Sequence, residues 1–165
     1  MRRAASTKLT NFTNFTNFTI FPETLMLRSE MTPEFFNRRS LGCLPAHLGI
    51  KITSVGDGQL SSELEVASYL LAPNGYLHAG TVVTLADTSA GYGCIAILPE
   101  GAVNFTTIEL KSNHLSTARD GVILCQAQVA HRGKTTQVWD SVVTDKASGK
   151  TIALFRCTQM ILYPK

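Results

Sequence analysis

Charge is scarce in this chain, and its absences exclude several kinds of protein. Only 16% of the 165 residues are charged, against 44% that are apolar, the balance of a globular chain and not a disordered one. The net charge is +3, but Arg2, Arg3, Lys8 and Arg28 outweigh Glu23 and Glu30 at the N-terminal end, and the remainder is nearly neutral. There is no basic stripe with interleaved aromatics, which argues against a nucleic-acid partner. There is no C-x-x-C pair either. Cys43, Cys94, Cys125 and Cys157 lie far apart, and three of them fall in the interiors of expected helices or strands. That usage suits buried thiols in a reducing, cytoplasmic setting.

Long apolar runs are also missing, with one exception. Ala79 to Leu98 reads AGTVVTLADTSAGYGCIAIL, with Asp87 its only charge. A run of that length is long enough to span a bilayer. A central Asp costs about 2.5–3.5 kcal/mol on insertion scales, Gly80, Gly91 and Gly93 weaken the span further, and no second span exists. The run is therefore expected to be a buried core helix, with no membrane partner. A chain of this length suits one domain around a single core.

Residues 1–30 differ from the rest. Asn-Phe-Thr occurs three times over positions 11–19, and no acidic residue precedes Glu23. Three readings are open: an extension upstream of a start at Met26 or Met31, an organelle-targeting peptide, or a tail without a role. Each triplet is formally a glycosylation sequon, but no apolar signal segment precedes them. The folded domain is expected to span 31–165.

Thr32-Pro33-Glu34 is a helix start, with a capping hydroxyl, proline at the first helical position and an acid in the first turn. A short helix to about Ser40 follows. His47 to Val55 alternates and predicts a strand, Gly56-Asp57-Gly58 a hairpin turn, and Leu60 to Leu71 a second strand. The helix is expected over about 79–95. Then Val103–His114, Val122–His131, Thr135–Thr144 and Thr151–Tyr163 read as strands of an antiparallel sheet. One apolar helix with five or six such strands implies an α+β fold, a sheet curled around a nearly fully buried helix.

Asp87 is the candidate catalyst. Its neighbours Val83, Leu85, Ala86 and Ala90 offer no polar stripe, and burial raises a carboxyl pKa unless donors hold it ionised. His78 comes nine residues earlier. On one helix the two lie about 13 Å apart along the axis and on opposite sides. An antiparallel second helix would instead bring the Asp of one subunit to the helix start of the other. There the N–H groups of Ala79 and Gly80 are expected to be unsatisfied, at the positive end of the helix dipole, able to polarise a carbonyl. The residues thus predict a dimer if they predict an enzyme.

The segment Asn74-Gly75-Tyr76-Leu77-His78-Ala79-Gly80 followed by Asp87 resembles the N-x-x-x-H-G-G…(D/E) signature of hotdog-fold acyl-CoA thioesterases, of the phenylacetate-pathway type. The resemblance runs over about 33–163. It takes in Thr107 to His114, His131-Arg132-Gly133-Lys134, Trp139 and the last strand. It implies a five- or six-stranded antiparallel sheet around one helix, homodimers or homotetramers built as dimers of dimers, and hydrolysis of an acyl-CoA without metal or organic cofactor. The acyl group it allows is aryl, phenylacetyl or medium-chain. It implies Asp87 as general base or nucleophile, Ala79 as the carbonyl-polarising donor, with His78 and Gly80 beside it. Thr107 would be the hydroxyl orienting water or carboxylate. Asn74, His114, Arg132, Gly133 and Lys134 would contact the substrate, the basic turn near the phosphates of coenzyme A. Three positions depart from the pattern. Ala79 replaces a glycine, Ala72 a polar amide, and Gly91 a Ser or Thr four residues after the carboxylate. Two other functions fit the same scaffold: an acyl-CoA-binding domain without catalysis, and a hydratase or dehydratase using His78 with a carboxylate.

Overall fold

Thr32 starts the first helix, α1 (Pro33–Arg39), by accepting the Phe35 N–H on its side-chain oxygen at 3.2 Å. The computed structural model describes residues 28–165. The Asn-Phe-Thr triplets, and with them the three readings of the N-terminal segment, lie outside the described residues. A second short helix, α2 (Leu44–Leu48), carries Pro45 in its first turn and ends on Gly49 in the left-handed region at φ 84. His47 and Leu48 therefore belong to a helix and not to the expected strand. The alternation of Leu48, Ile50 and Ile52 runs across a helix–strand junction and imitates one continuous period.

Six strands follow the two helices: β1 (Lys51–Gly56), β2 (Gln59–Glu65), β3 (Asn104–His114), β4 (Val122–Arg132), β5 (Thr136–Asp145) and β6 (Thr151–Leu162). They form one antiparallel sheet in the order β1-β2-β4-β5-β6-β3. β2 stops at Glu65, earlier than expected. The Val66 N–H bonds Gly121 O, and Ser68–Leu70 make a single 3-10 turn that carries the chain towards the helix. The buried Leu70 continues the apolar period after the strand has ended.

The apolar run forms α3 (Ala79–Ala96), lying across the concave face of the sheet. Its small residues allow the close approach. A Cβ on Gly93 would fall 2.6 Å from the Trp139 ring, and that indole is fully buried and held by Gln137 at 2.9 Å. Ser89 meets Ser62 of β2 at 2.7 Å, and Gln137 bonds Ile97 O just past the helix end. Cys94, Cys125 and Cys157 are buried free thiols, whereas Cys43 is exposed. The helix is less enclosed than expected. Val83, Thr84, Asp87, Thr88 and Tyr92 are only half-buried, because the sheet closes around one side of α3 and leaves a stripe of the other open.

The two sheet edges differ. On β1, the Asn37 side chain of α1 donates to Ile52 O at 3.0 Å and accepts from the Ile52 N–H at 2.8 Å, occupying that edge as a strand would. Along the far side of β3, an 11-residue strand, nothing among the described residues pairs. No helix of the described residues is long and apolar enough to cross a membrane.

Candidate active site

Asp87 sits midway along α3 on the open stripe, with Thr84 and Thr88 at its sides. Burial raises its pKa above the ordinary aspartate value, and the nearby Thr107 hydroxyl is the group that can lower it by donating. Thr107 is on β3 and points to the concave face, its Oγ1 3.4 Å from Asp87 Oδ1 and 2.9 Å from Gln159 Oε1. Thr107 and Gln159 are cross-strand partners, and the β3–β6 register shifts between Thr107 and Glu109. Such bulges re-aim side chains next to functional sites. Two residues before Thr107, the Phe105 ring packs on the helix: a Cβ on Gly91 would lie 2.8 Å from Phe105 Cζ. This accounts for the missing Ser or Thr at position 91. The aromatic ring fills that space, and the hydroxyl comes from β3 instead.

The helix start is a second group. His78 caps α3, its Nδ1 accepting the Gly80 N–H at 2.8 Å, so the imidazole carries its proton on Nε2 when neutral. This corrects the expectation of two unsatisfied amides: the Gly80 donor is taken. Gly80 itself is needed there, since a Cβ would lie 2.9 Å from His78 Nδ1. Among the described residues no acceptor meets the Ala79 N–H, the first amide of the helix. The loop before it is braced from the strand ends. The Leu77 N–H bonds Ala118 O at 2.9 Å, the His78 N–H bonds Leu70 O at 3.0 Å, and Arg119 stacks over the Tyr76 ring at 4.3 Å. Asn74 is exposed and its Oδ1 accepts the Tyr76 N–H at 3.2 Å, a turn-forming contact.

The structure brings Asp87 and Thr107 together, and separately His78, Ala79 and Gly80. It does not join the two groups within one protomer, as the helix spacing requires. His114 closes β3 opposite Ala153, exposed, and the loop that follows it docks on Leu77, so His114 lies at the same end as the helix start. The basic turn is at the other end. Arg132 ends β4 and is ion-paired to Asp57 at 2.6 Å with its side chain almost buried. Gly133 bonds Thr136 O, and Lys134 is exposed. Gln159 was not singled out by the sequence. The signal was present, since it stands at an inward position of β6 between Cys157 and Ile161, where alternation calls for an apolar residue. No cluster of His, Cys, Asp and Glu among the described residues is placed to hold a metal ion.

Residues 74–152 match the profile of the thioesterase superfamily, and a 1,4-dihydroxy-2-naphthoyl-CoA hydrolase of Listeria monocytogenes is 36% identical over 111 residues, 67% of this chain and 89% of that protein. The chain belongs to the thioesterase superfamily. An Escherichia coli protein of the same name as the Listeria enzyme is 30% identical over 141 residues, covering 84% of this thioesterase and all of its own length, 100%. A variant of a Pseudomonas aeruginosa thioesterase superposes with TM-score 0.78 at 27% identity, over 83% of this chain and 98% of its own. The E. coli PaaI protein of the phenylacetic acid degradation operon does so at 0.66 and 28%, over 72% and 83%. The six-stranded antiparallel sheet around α3 is the hotdog arrangement of these thioesterases.

Proposed function

We propose that this thioesterase hydrolyses acyl-CoA in a site shared by two copies of the chain, with Asp87 acting on the thioester as general base or nucleophile. The observation that carries this reading is a half-buried carboxylate with a raised pKa, alone in an apolar helix and facing a hydroxyl. Burial makes such a carboxylate a stronger base than an exposed one, which suits it to taking a proton from water. The hydrogen-bond donor to the developing oxyanion is the Ala79 N–H of the second copy, backed by the helix dipole, with His78 fixing the turn around it.

The open β3 edge supports the pairing. Set antiparallel to a second β3 about an axis at Leu110, Glu109 stands opposite the partner's Lys111, an opposite-charge pair repeated by symmetry. The same register puts Thr107 opposite the partner's Asn113, so the strand end and helix start of one copy come to the Asp87 of the other. Exposed Ile108 and Leu110 on the same strand, with Leu115 just beyond its end, supply apolar surface to bury. Because Arg132 is committed to Asp57, Lys134 is the cation of the basic turn offered to coenzyme A phosphates, with His114 and Asn74 as polar contacts at the other end. Of the three acyl classes, aryl comes first, because two relatives are named for an aromatic acyl-CoA.

Free-thiol release from a panel of aryl, phenylacetyl and medium-chain acyl-CoAs tests this directly. Asp87→Asn is expected to lower turnover about 10²–10⁴-fold while the protein stays folded and dimeric. Near-normal rates in that variant would refute the assignment of Asp87. Acyl-CoA bound without thiol release by the wild type would make the chain a binding domain.

A further inference from the structure

The Thr107 hydroxyl carries one proton and lies between two acceptors. Its Oγ1 is 2.9 Å from Gln159 Oε1 and 3.4 Å from Asp87 Oδ1, and a threonine can give its proton to only one of them. The nearer oxygen has the better hydrogen-bond distance. Gln159 is fully buried, and its other end, Nε2, points at Cys157 Sγ at 3.2 Å, a weak acceptor. A carboxamide at an inward strand position loses its hydration and must regain it in hydrogen bonds. Among the described residues, the one strong bond of the Gln159 side chain is to the hydroxyl that faces Asp87.

We propose that Gln159 is a positioning residue for the reaction: its carboxamide oxygen draws the single Thr107 proton away from Asp87 and leaves the carboxylate unbonded and reactive towards water. This rests on Asp87 as the reacting group. With its proton turned to Gln159, Thr107 presents a lone pair on the Asp87 side. A water molecule there meets two acceptors for its two protons, Asp87 and Thr107, and its oxygen lone pair is left to face the thioester carbonyl. Were the Thr107 proton given to Asp87 instead, the carboxylate would be a weaker base and the hydroxyl would offer the water no fixed direction.

The other titratable groups nearby do not compete. Cys157 on β6 and Cys94 on α3 are pushed up to about 12 by burial and stay neutral. Glu109 on β3 and Asp140 on β5 are the other carboxylates that act on Cys157 besides Asp87, and in the proposed dimer the partner's His78 faces the site.

The acid limb of the pH profile of kcat/KM follows ionisation of Asp87 in the free enzyme. In Gln159→Met the Thr107 proton has only Asp87 to bond, so the acid limb is expected to move down by about one pH unit. The plateau kcat should fall severalfold with KM unchanged, since Gln159 has no surface to offer a substrate. Thr107→Val removes a hydroxyl whose proton is already turned to Gln159, so it should not lower the limb, and adding Gln159→Met in that background should move it no further. Gln159→Glu, which keeps an oxygen acceptor, should leave the limb at or above wild type and covers the case in which the Met variant does not fold. An unmoved or rising limb in Gln159→Met, a shift that persists without Thr107, or a falling limb in Gln159→Glu overturns the proposal. Asp87→Asn is run in parallel. Turnover retained there refutes the parent assignment of Asp87, whereas turnover lost there with an unmoved limb in Gln159→Met refutes the role of Gln159 alone.

Discussion

A carboxylate in the middle of an apolar helix works against the fold, and pH reveals the sign. Burial raises the Asp87 pKa above the ordinary value of 3.8. The folded state therefore binds more protons than the unfolded one between those two values, and stability falls as pH rises through them. Below 3.8 both states hold a neutral acid and the contribution of Asp87 is fully present. Above the folded value it is lost. Asp87→Asn has no such loss, so its melting temperature should match wild type at pH 3 and exceed it at pH 7, at one protein concentration. Equal melting temperatures at both pH values would mean that the carboxylate is not strained by its surroundings. This residue was legible in the sequence because it is the only charge in twenty positions. Gln159 was not, because one amide among many polar residues stands out only once the inward register of β6 is known. Nor could the sequence show that His78 takes the Gly80 amide, which depends on one side-chain torsion.

At the scale of elements, turns and boundaries followed where glycine and proline punctuate the chain. Pro33 opens α1, Gly56 to Gly58 turn β1 into β2, and α3 ends within a residue of the expected 79–95. The misplaced stretches, His47–Leu48 and Val66–Leu71, share a cause. An apolar residue every second position fits a strand, but a short helix or 3-10 turn that must keep a side chain buried can supply the same spacing for a few residues. The exposed strand β3 gives a prediction of its own. In the proposed β3 pairing, Glu109→Lys sets like charges opposite each other twice per symmetric pair and should weaken that dimer about tenfold or more, each contact contributing up to about 1 kcal/mol. Adding Lys111→Glu restores opposite signs and should restore assembly, read by sedimentation equilibrium. A dimer indifferent to both changes would place the interface elsewhere than β3.

For the whole molecule, the decisive question is whether one active site draws on two chains, and α3 offers a clean way to ask it. Proline is tolerated at the first position of a helix, where it removes an N–H the helix does not use. His78 is already in an extended conformation, φ −66 and ψ 134, which suits a residue before proline. Ala79→Pro should therefore delete the proposed oxyanion donor and leave the helix intact, with little activity remaining. Asp87→Asn should be inactive for a different reason, the loss of the reacting carboxylate. If each site combines Asp87 of one subunit with Ala79 of the other, a hybrid of the two variants contains one site with both defects and one with neither. Unfolding and refolding the two proteins together at equal amounts makes half the dimers hybrid, so about a quarter of wild-type activity should return. If each site lay within a single chain, every site in the mixture would carry a defect and no activity would return. The sequence contained the reason for this experiment, the nine residues between His78 and Asp87, because helix geometry alone keeps them apart. It did not contain the surface proposed for a second copy, which emerged only when the sheet order left β3 at an open edge while Asn37 closed the other.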